Sequence, residues 1–210
     1  MGKSKYVITI TRQFGSMGRP IAKKMAEKLG IEYYDRDLVD QAAEQLNLPV
    51  SKIDEQEETA KSKIKSRFIG MMYPFGAVAR SSSDSSTQDQ IFEAQKNIIK
   101  FLADKETCII VGRCSDFVLS DRDNVANIYI YASYEARLKH CIEDLGMEED
   151  EARRMIVAVD EAREEYHLRY AGYKPDDKRF KDILIDSSFL GVEGTADYLV
   201  EMVKRKIGEM

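Results

Sequence analysis

Short apolar runs alternate with amphipathic stretches along most of this chain. The run at residues 6–11 is rich in β-branched residues, and the runs at 31–34, 107–111, 125–131 and 183–186 are also short enough to be strands. Residues 107–111 are apolar without alternation, which is typical of a parallel strand covered on both faces. Because helical stretches separate the strands, the pattern predicts right-handed βαβ crossovers and a parallel sheet.

Amphipathic periodicity and capping signals predict the helices. The first has an apolar stripe over residues 21–29, with Pro20 in its first turn and Gly30 as its stop signal. Thr87 and Gln90 have capping-box spacing and predict the start of another helix. Further helices are predicted after Ser133, over residues 148–170 and over residues 194–207. The polar tract at residues 81–87 has no apolar anchor and predicts a loop.

The distance between the second and third predicted strands is unusually long. Residues 36–106 have a helical pattern and are too many for a simple crossover between parallel strands. We therefore expect one domain over residues 1–210, in which residues 36–106 form a helical insert over the carboxyl edge of the sheet.

Composition narrows the class of protein. The 210 residues include 32 Lys and Arg against 37 Asp and Glu, a formal charge of -5, which disfavours binding of a nucleic acid polymer but allows a local basic pocket. No run approaches the ~20 apolar residues of a membrane span. The amino terminus shows no signal-peptide pattern. We expect a cytoplasmic protein without membrane contact.

The cysteines and histidines form no recognisable metal-binding pattern. Cys108, Cys114 and Cys141 are odd in number and contain no C-x-x-C pair, which argues against a disulfide framework and for a reducing compartment. We expect Cys108 in the core. His140 and His167 are far apart in the sequence, so we expect them at the surface and assign no residue as a metal ligand.

The loop after the first strand has the position of an anion-binding loop, because a helix amino terminus follows it. In the P-loop pattern G-x-x-x-x-G-K-[ST], the lysine reaches the terminal phosphates and the hydroxyl touches magnesium. Counted back from the helix stripe, Arg12 stands at the first glycine, Met17 at the second, Gly18 at the lysine and Arg19 at the hydroxyl. A register shifted by one puts Arg19 at the lysine and Pro20 at the hydroxyl.

Two explanations of this loop stay open on its own sequence. Gly15 and Gly18 can serve the geometry of a tight turn alone. Arg12 and Arg19 flank the turn, however, and an arginine can hold a phosphate through two parallel N–H bonds.

Several motifs together resemble the cytidylate-kinase-like family, in the family's order and through nearly the whole chain. They are the loop and helix at residues 11–30, Tyr33-Tyr-Asp-Arg36, Val111-Gly-Arg-Cys114, Ile128-Tyr-Ile-Tyr-Ala-Ser133, Asp160-Glu-Ala-Arg163 and Ile185-Asp-Ser-Ser188. The resemblance implies an α/β fold, the P-loop NTPase three-layer sandwich with a five-stranded parallel sheet in the order 2-3-1-4-5. Residues 36–106 would be its acceptor-binding insert and residues 146–172 a lid helix.

The resemblance also implies roles for single residues. The loop would bind the nucleotide donor through Arg12, Gly15, Ser16, Met17, Gly18 and Arg19. The substrate would be bound by Asp35, Arg113, Asp160 and Arg163. Phosphoryl transfer needs positioning and spread positive charge, which would be supplied by Arg19, Arg113 and Arg163 as the catalytic residues.

This chain departs from the family's motifs at several positions. Cys114 replaces the aspartate of a Gly-Arg-Asp motif, which bears on base recognition. Ile156 and Val157 replace the first Arg-Asp of the lid signature Arg-Asp-x-x-Asp-x-x-Arg. In neither register does the loop supply the P-loop lysine or the magnesium-binding hydroxyl.

Structural alternatives exist for some of these residues. Asp160 and Arg163 are three positions apart on one helix and can form a simple surface ion pair. Asp35 can cap the helix that follows it. Arg113 directly follows a buried strand, at the edge where parallel sheets bind ligands, which favours a functional role.

We therefore expect a kinase-like enzyme that transfers the γ-phosphate of ATP, with Mg²⁺, to a nucleoside monophosphate or a related small acceptor. One alternative is a nucleotide-binding or regulatory module of the same fold with impaired catalysis. Another is an interaction protein whose loop binds nothing. The kinase hypothesis requires that Arg113 and Arg163 face the loop across one cleft.

Overall fold

Five parallel strands form the sheet. The computed structural model describes residues 5–35 and 85–208. The strands are β1 (Val7–Arg12), β2 (Glu32–Tyr34), β3 (Cys108–Val111), β4 (Val125–Tyr131) and β5 (Ile183–Asp186). They pair in the order β2-β3-β1-β4-β5, and all four pairings are parallel. This order confirms the predicted topology.

The predicted helices of the described region are present. They are α1 (Gly18–Leu29), α2 (Ser85–Lys105), α4 (Tyr134–Glu143), α5 (Glu149–Ala171) and α6 (Ser187–Gly208). The short helix α3 (Ser115–Val118) and a 3₁₀ turn at Lys178–Phe180 were not predicted. The expected caps at Gly30 and Ser133 are also present: Gly30 has a φ of 65°, and the side chain of Ser133 accepts a hydrogen bond from the Ala136 N–H.

Two helix starts differ from the prediction. α6 begins at Ser187 rather than at residue 194, because Asp186 accepts a hydrogen bond from the Ser188 N–H at 2.8 Å and so starts a turn ahead of a break at Gly191. α2 begins at Ser85, so the loop prediction is wrong for residues 85–87. The rest of that tract, and most of the predicted insert at residues 36–106, lies outside the described residues.

The two faces of the sheet bury alternate residues of each central strand. Ile8 and Ile10 of β1 pack with α1 and α6, whereas Val7 packs in the cluster formed with α2 and α3. Cys108 and Ile110 of β3 join the second cluster, which confirms Cys108 as a core residue. Each fully buried isoleucine contributes roughly 1.5–3 kcal/mol. The helices on both faces make the three-layer sandwich.

A third apolar cluster anchors the loop after β1 to α4 and α5. Phe14 of that loop packs with Cys141 of α4 and with Met155, Ile156 and Val159 of α5. Ile156 is 1% exposed, so the position where the family's lid carries arginine is a core position here. Helix α5 is therefore packed against the loop. No described helix is both long enough and apolar enough to cross a membrane.

Candidate functional site

A cleft of about 660 Å³ opens at the carboxyl edge of the sheet. The loop after β1, the first turn of α1, the ends of β2 and β3, and the inner face of α5 line it. Parallel sheets bind ligands at this edge, where strand ends and helix amino termini meet. The cleft is thus formed by the elements that carry most of the sequence-predicted site residues.

Four arginines from four different segments line this cleft. They are Arg12 at the end of β1, Arg19 in the first turn of α1, Arg113 after β3 and Arg163 on α5. Residues as far apart in sequence as Arg12 and Arg163 meet here: Arg163 Nη1 donates a hydrogen bond to the Arg12 carbonyl oxygen at 3.0 Å. The convergence that the kinase hypothesis requires is present. We call these four side chains the cleft arginines.

Arg12 lies in the middle of this positive cluster. Burial lowers the pKa of Arg12 well below its usual value, and repulsion from Arg163 and Arg19 lowers it further. Within residues 5–35 and 85–208, the Arg12 guanidinium donates no hydrogen bond and forms no ion pair. A half-buried cation with repelling neighbours is stabilised by an added anion. The electrostatics of the cleft therefore favour an anionic ligand.

Asp35 supplies negative charge at the β2 side of the cleft. Arg19 Nη2 lies 3.6 Å from Asp35 Oδ2, and the Tyr33 hydroxyl donates to the same oxygen at 3.2 Å. Burial and the neighbouring Asp35 raise the pKa of Tyr33, so the phenol stays protonated as a donor. Asp35 thus faces the cleft, while any role in capping a following helix lies outside the described residues.

Asp160 and Arg163 bind the loop as well as each other. Their ion pair is long, at 4.0 Å between Arg163 Nη1 and Asp160 Oδ1. Asp160 Oδ1 accepts a hydrogen bond from the Phe14 N–H at 2.7 Å, and Oδ2 pairs with Arg137 of α4. Burial lowers the pKa of Arg163 to about 10. Arg163 lines the cleft, whereas Asp160 fixes the loop from behind and is absent from the lining.

Ser16 is the one loop residue of the predicted donor-binding set that does not line the cleft. It is fully buried, and its Oγ lies 3.0 Å from the Gln13 carbonyl oxygen and 3.2 Å from that of Ile130. The Ser187 hydroxyl donates in turn to the Ser16 carbonyl at 2.7 Å. Ser16 therefore fixes the loop to β4 and α6, while Arg12, Gly15, Met17, Gly18 and Arg19 line the cleft.

Backbone strain is concentrated at the cleft. Met17, Arg113 and Cys114 are the non-glycine residues with positive φ in the described chain, at 57°, 57° and 51°, and all three line the cleft. Such conformations cost about 1–3 kcal/mol each and cluster at functional sites. Cys114, where the family motif has aspartate, is buried, and burial raises its thiol pKa. A protonated thiol cannot replace the negative charge of that aspartate.

A buried ion network beneath the cleft was not foreseen. Asp116 hydrogen-bonds His167 of α5 at 3.2 Å, accepts from the Tyr173 hydroxyl at 3.1 Å and pairs with Lys181. The surface position predicted for His167 is therefore wrong: it is 3% exposed because Asp116 and the Tyr173 carbonyl satisfy its ring nitrogens. Burial raises the pKa of Asp116, but His167 and Lys181 together outweigh this and lower it.

Arg137 was also missed by sequence reasoning. It is 8% exposed, pairs with Asp160, and donates to the Phe14 carbonyl oxygen at 3.2 Å. The available signal was weak: an arginine in the first turn of an amphipathic helix is expected at the surface unless its tertiary partner is known. Together with Asp160 it holds both the N–H and the C=O of Phe14.

Sequence comparison decides the family. The profile of the cytidylate kinase-like family matches residues 7–189. The chain belongs to the cytidylate kinase-like family. Among curated proteins, the cytidylate kinase of Sulfolobus acidocaldarius is 23% identical over 204 residues, covering 95% of this chain and 94% of that protein. Family membership and fold thus agree on a nucleotide-kinase-like protein.

Solved structures share the fold over the full length. An uncharacterized protein from Eubacterium ventriosum superimposes with a TM-score of 0.67 at 26% identity, covering 98% of this chain and all of that one. The shikimate kinase of Bacteroides thetaiotaomicron has a TM-score of 0.53 at 14% identity, with 96% and 99% of the two chains covered. The second likeness shows the fold alone. Both likenesses confirm the three-layer fold with its five-stranded parallel sheet.

Proposed function

We propose that this member of the cytidylate kinase-like family transfers the γ-phosphate of ATP to a nucleoside monophosphate or a related small acceptor. The observation that carries the proposal is the convergence of the cleft arginines on one cleft beside the amino terminus of α1. Phosphoryl transfer is catalysed mainly by positioning and by spread positive charge, so a cleft with these cations suits the reaction.

The donor phosphates would bind at the loop between β1 and α1. Loop amides and the positive end of the helix attract phosphate, and Arg12 and Arg19 lie on either side of them. The Phe14 N–H is already taken by Asp160, so the amides that remain for a ligand belong to the later part of the loop. Gly15, Met17 and Gly18 line the cleft there.

The acceptor would bind on the opposite side, near Arg113 and Asp35. Arg113 would hold its phosphate and Arg163, between donor and acceptor, would neutralise the transferring group. In the step, an acceptor phosphate oxygen forms a bond to the γ-phosphorus as the bond to the ADP oxygen breaks. Because a phosphate monoester is largely ionised near pH 7, with a second pKa of about 6, its attacking oxygen needs no general base.

Magnesium would enter with ATP as part of the substrate. In residues 5–35 and 85–208, no group of three or more His, Cys, Asp or Glu side chains is arranged to hold a metal ion. Asp35 is a carboxylate on the lining of the cleft. We therefore assign the chain's own residues to the phosphates and the acceptor, and assign none to the metal.

Small nucleotides are the partners that this proposal implies. The net charge of -5 disfavours a nucleic acid polymer, while the positive charge of the cleft is local. The free, buried thiols of Cys108, Cys114 and Cys141 support the expected reducing, cytoplasmic location.

A combined binding and transfer assay tests the proposal. ATP and GTP with Mg²⁺ are screened by thermal shift and by phosphoryl transfer to each nucleoside monophosphate, with the wild type, Arg113→Ala and Arg205→Ala. Arg205 is an exposed arginine on α6 paired with Glu201, remote from the cleft lining, and serves as the matched control.

Turnover that is lost in Arg113→Ala and kept in Arg205→Ala supports the kinase and identifies its acceptor. A rise in the melting temperature without turnover for any acceptor would instead identify a nucleotide-binding module. A protein whose melting temperature responds to no nucleotide would contradict both functions, since saturating ligand at 100 times its Kd adds about 2.7 kcal/mol of stability.

A further inference from the structure

In this loop the cation and one glycine of the P-loop pattern have exchanged places. In the register set by α1, an arginine stands at the first glycine and a glycine at the lysine. The structure supports this register, because α1 begins at Gly18 and buries Ile21, Ala22, Met25 and Ala26 on its inner stripe. The expected cation is therefore absent from one end of the loop and present at the other, at Arg12.

The side chain of Arg12 runs through the space that a residue at position 18 would occupy. A Cβ atom on Gly18 would lie 2.8 Å from both Cβ and Cγ of Arg12, closer than real Cβ contacts. Gly18 has no positive φ, so its backbone alone does not require glycine. Glycine is unfavourable in a helix relative to alanine, and the stem of Arg12 is the physical reason for it here.

The head of Arg12 occupies a second glycine position. A Cβ atom on Gly112, at the end of β3, would lie 2.5 Å from Arg12 Nη1. Two glycines, one from α1 and one from the turn after β3, thus form a channel for one arginine. The channel carries the guanidinium from the end of β1 into the cleft, which Gly18 and Gly112 also line.

We propose that Arg12 is the cation that holds the donor's terminal phosphates in this loop, in the role that a lysine at position 18 has in the P-loop pattern. The proposal rests on the proposed nucleotide binding and names the residue at its centre. Gly18 leaves room for the stem of Arg12, and Gly112, whose φ of 83° itself favours glycine, leaves room for the guanidinium.

The charges around Arg12 fit this role. Its guanidinium donates no hydrogen bond within the described residues, so its planar fork stays available for two phosphate oxygens. Arg19 and Arg163 lie close enough to repel it, and a polyphosphate between the three cations replaces repulsion by attraction. Arg12 also keeps its backbone contact with Arg163 through its carbonyl, which a side-chain substitution leaves in place.

Direct binding of ATP and of inorganic tripolyphosphate, measured by titration calorimetry at fixed salt, tests the assignment. We expect Arg12→Gln to weaken both about 10- to 100-fold, the loss of one or two charge-assisted hydrogen bonds. Gly18→Ala keeps Arg12 but displaces its stem, and is expected to weaken both ligands about tenfold. Gly194→Ala is the control: a glycine within α6, whose added Cβ would meet only the Leu190 side chain.

Exchange of the two residue types gives a second, independent measurement. Arg12→Gly and Gly18→Lys are each expected to bind weakly, the second because the new side chain collides with Arg12. The double variant Arg12→Gly/Gly18→Lys restores the first glycine and the lysine of the P-loop pattern and is expected to bind within about tenfold of the wild type. The circular dichroism spectrum and melting temperature of each variant establish that it is folded.

The outcomes separate this inference from the proposed function. If Arg12→Gln and Gly18→Ala bind both ligands as tightly as the wild type, the assignment of Arg12 is wrong, and the kinase proposal stands on its own assay. If the wild type binds ATP without transfer while these variants lose affinity, Arg12 holds the phosphates of a protein that is no kinase. If the wild type binds neither ligand, both proposals are wrong.

Discussion

Two groups of charged side chains lie within reach of the same loop and are arranged in opposite ways. The cleft arginines bring four cations to one cleft, where burial first and then repulsion from Arg163 and Arg19 lower the pKa of Arg12. In the buried network beside them, Asp116 pairs with Lys181 and also hydrogen-bonds His167. Paired burial serves the fold, whereas clustered like charge costs stability and is retained where a ligand of opposite charge binds.

The same contrast holds between Arg137, which contacts Phe14, and Arg12, at the end of β1. Arg137 pairs with Asp160 and donates to the Phe14 carbonyl, so its charge is compensated within the protein. Arg12 forms no such contact within the described residues. The comparison teaches that the partners of an arginine, rather than its burial, distinguish a structural from a ligand-binding role.

The largest expected effect is the loss of stability when the buried network of Asp116, His167 and Lys181 is broken. Asp116→Asn leaves the ammonium of Lys181 buried without its counter-charge, and we expect the free energy of unfolding to fall by about 3–5 kcal/mol. Urea denaturation followed by circular dichroism measures it. A loss below about 1 kcal/mol would mean that the network is not the paired structural element described here.

The pH dependence of the unfolding free energy is a second test of the contribution of Asp116. The pKa of Asp116 is lower in the folded protein than its usual value, so its ionised form adds stability above the unfolded pKa of about 3.9. That contribution is lost as the pH falls through the folded value. We expect the unfolding free energy to drop steeply below about pH 4 in the wild type and less steeply in Asp116→Asn. Equal slopes in the two proteins would contradict this assignment.

Next in size is the effect of removing a cleft arginine. Arg163→Ala is expected to lower kcat/KM for phosphoryl transfer by about 10²–10³-fold, the usual cost of a lost transition-state donor. Initial rates over a range of acceptor concentrations measure it. Arg153→Ala is the control, because Arg153 lies on the same helix, is exposed and is paired with Glu149. An activity within threefold of the wild type would exclude Arg163 from the reaction.

A smaller loss of stability is expected when Asp160, which holds the loop after β1, is changed. Asp160→Asn keeps an oxygen for the Phe14 N–H but loses the charge opposite Arg137, and we expect a loss of about 1.5–3 kcal/mol of unfolding free energy. The melting temperature of Asp160→Asn should fall. If the loop stays in place, this variant should bind ATP with an affinity closer to that of the wild type than Arg12→Gln does. The reverse order of affinities would show that Asp160 itself meets the ligand.

The smallest effect is expected on the stability of the unliganded protein when Arg12 is changed. Arg12→Gln removes a half-buried cation that Arg163 and Arg19 repel. We therefore expect the unliganded protein to be unchanged or stabilised by about 1 kcal/mol, although the variant binds polyphosphate poorly. Differential scanning calorimetry without nucleotide measures this. A clear loss of stability would show that Arg12 has a structural role like that of Arg137.

The fold was predictable because its signals are local and repeated. The continuous apolar run of β3, the stripe and stop of α1, and the alternation of strands with helices each carry their own periodicity. The strand order itself came from the resemblance to a family. The start of α6 was missed because Asp186 caps a short turn before a glycine break, a pattern that periodicity does not register.

The site was predictable only in part. Arg12, Arg19, Arg113 and Arg163 were selected from motifs, and all line the cleft. The long-range pairs were not: His167 and Lys181 become buried because Asp116 lies opposite them, 51 and 65 positions earlier in the chain. Nothing in the sequence around a polar residue states which distant partner will satisfy it.

One hydrogen bond of the loop allows hydrogen exchange to report on motion of α5. The Phe14 amide proton is held by a carboxylate on α5, so it exchanges with solvent only when the loop and that helix separate. The deuterium uptake of this amide therefore measures how often the loop separates from α5. A kinase whose α5 swings away in each cycle would lose this protection during turnover, and one that keeps α5 in place would not.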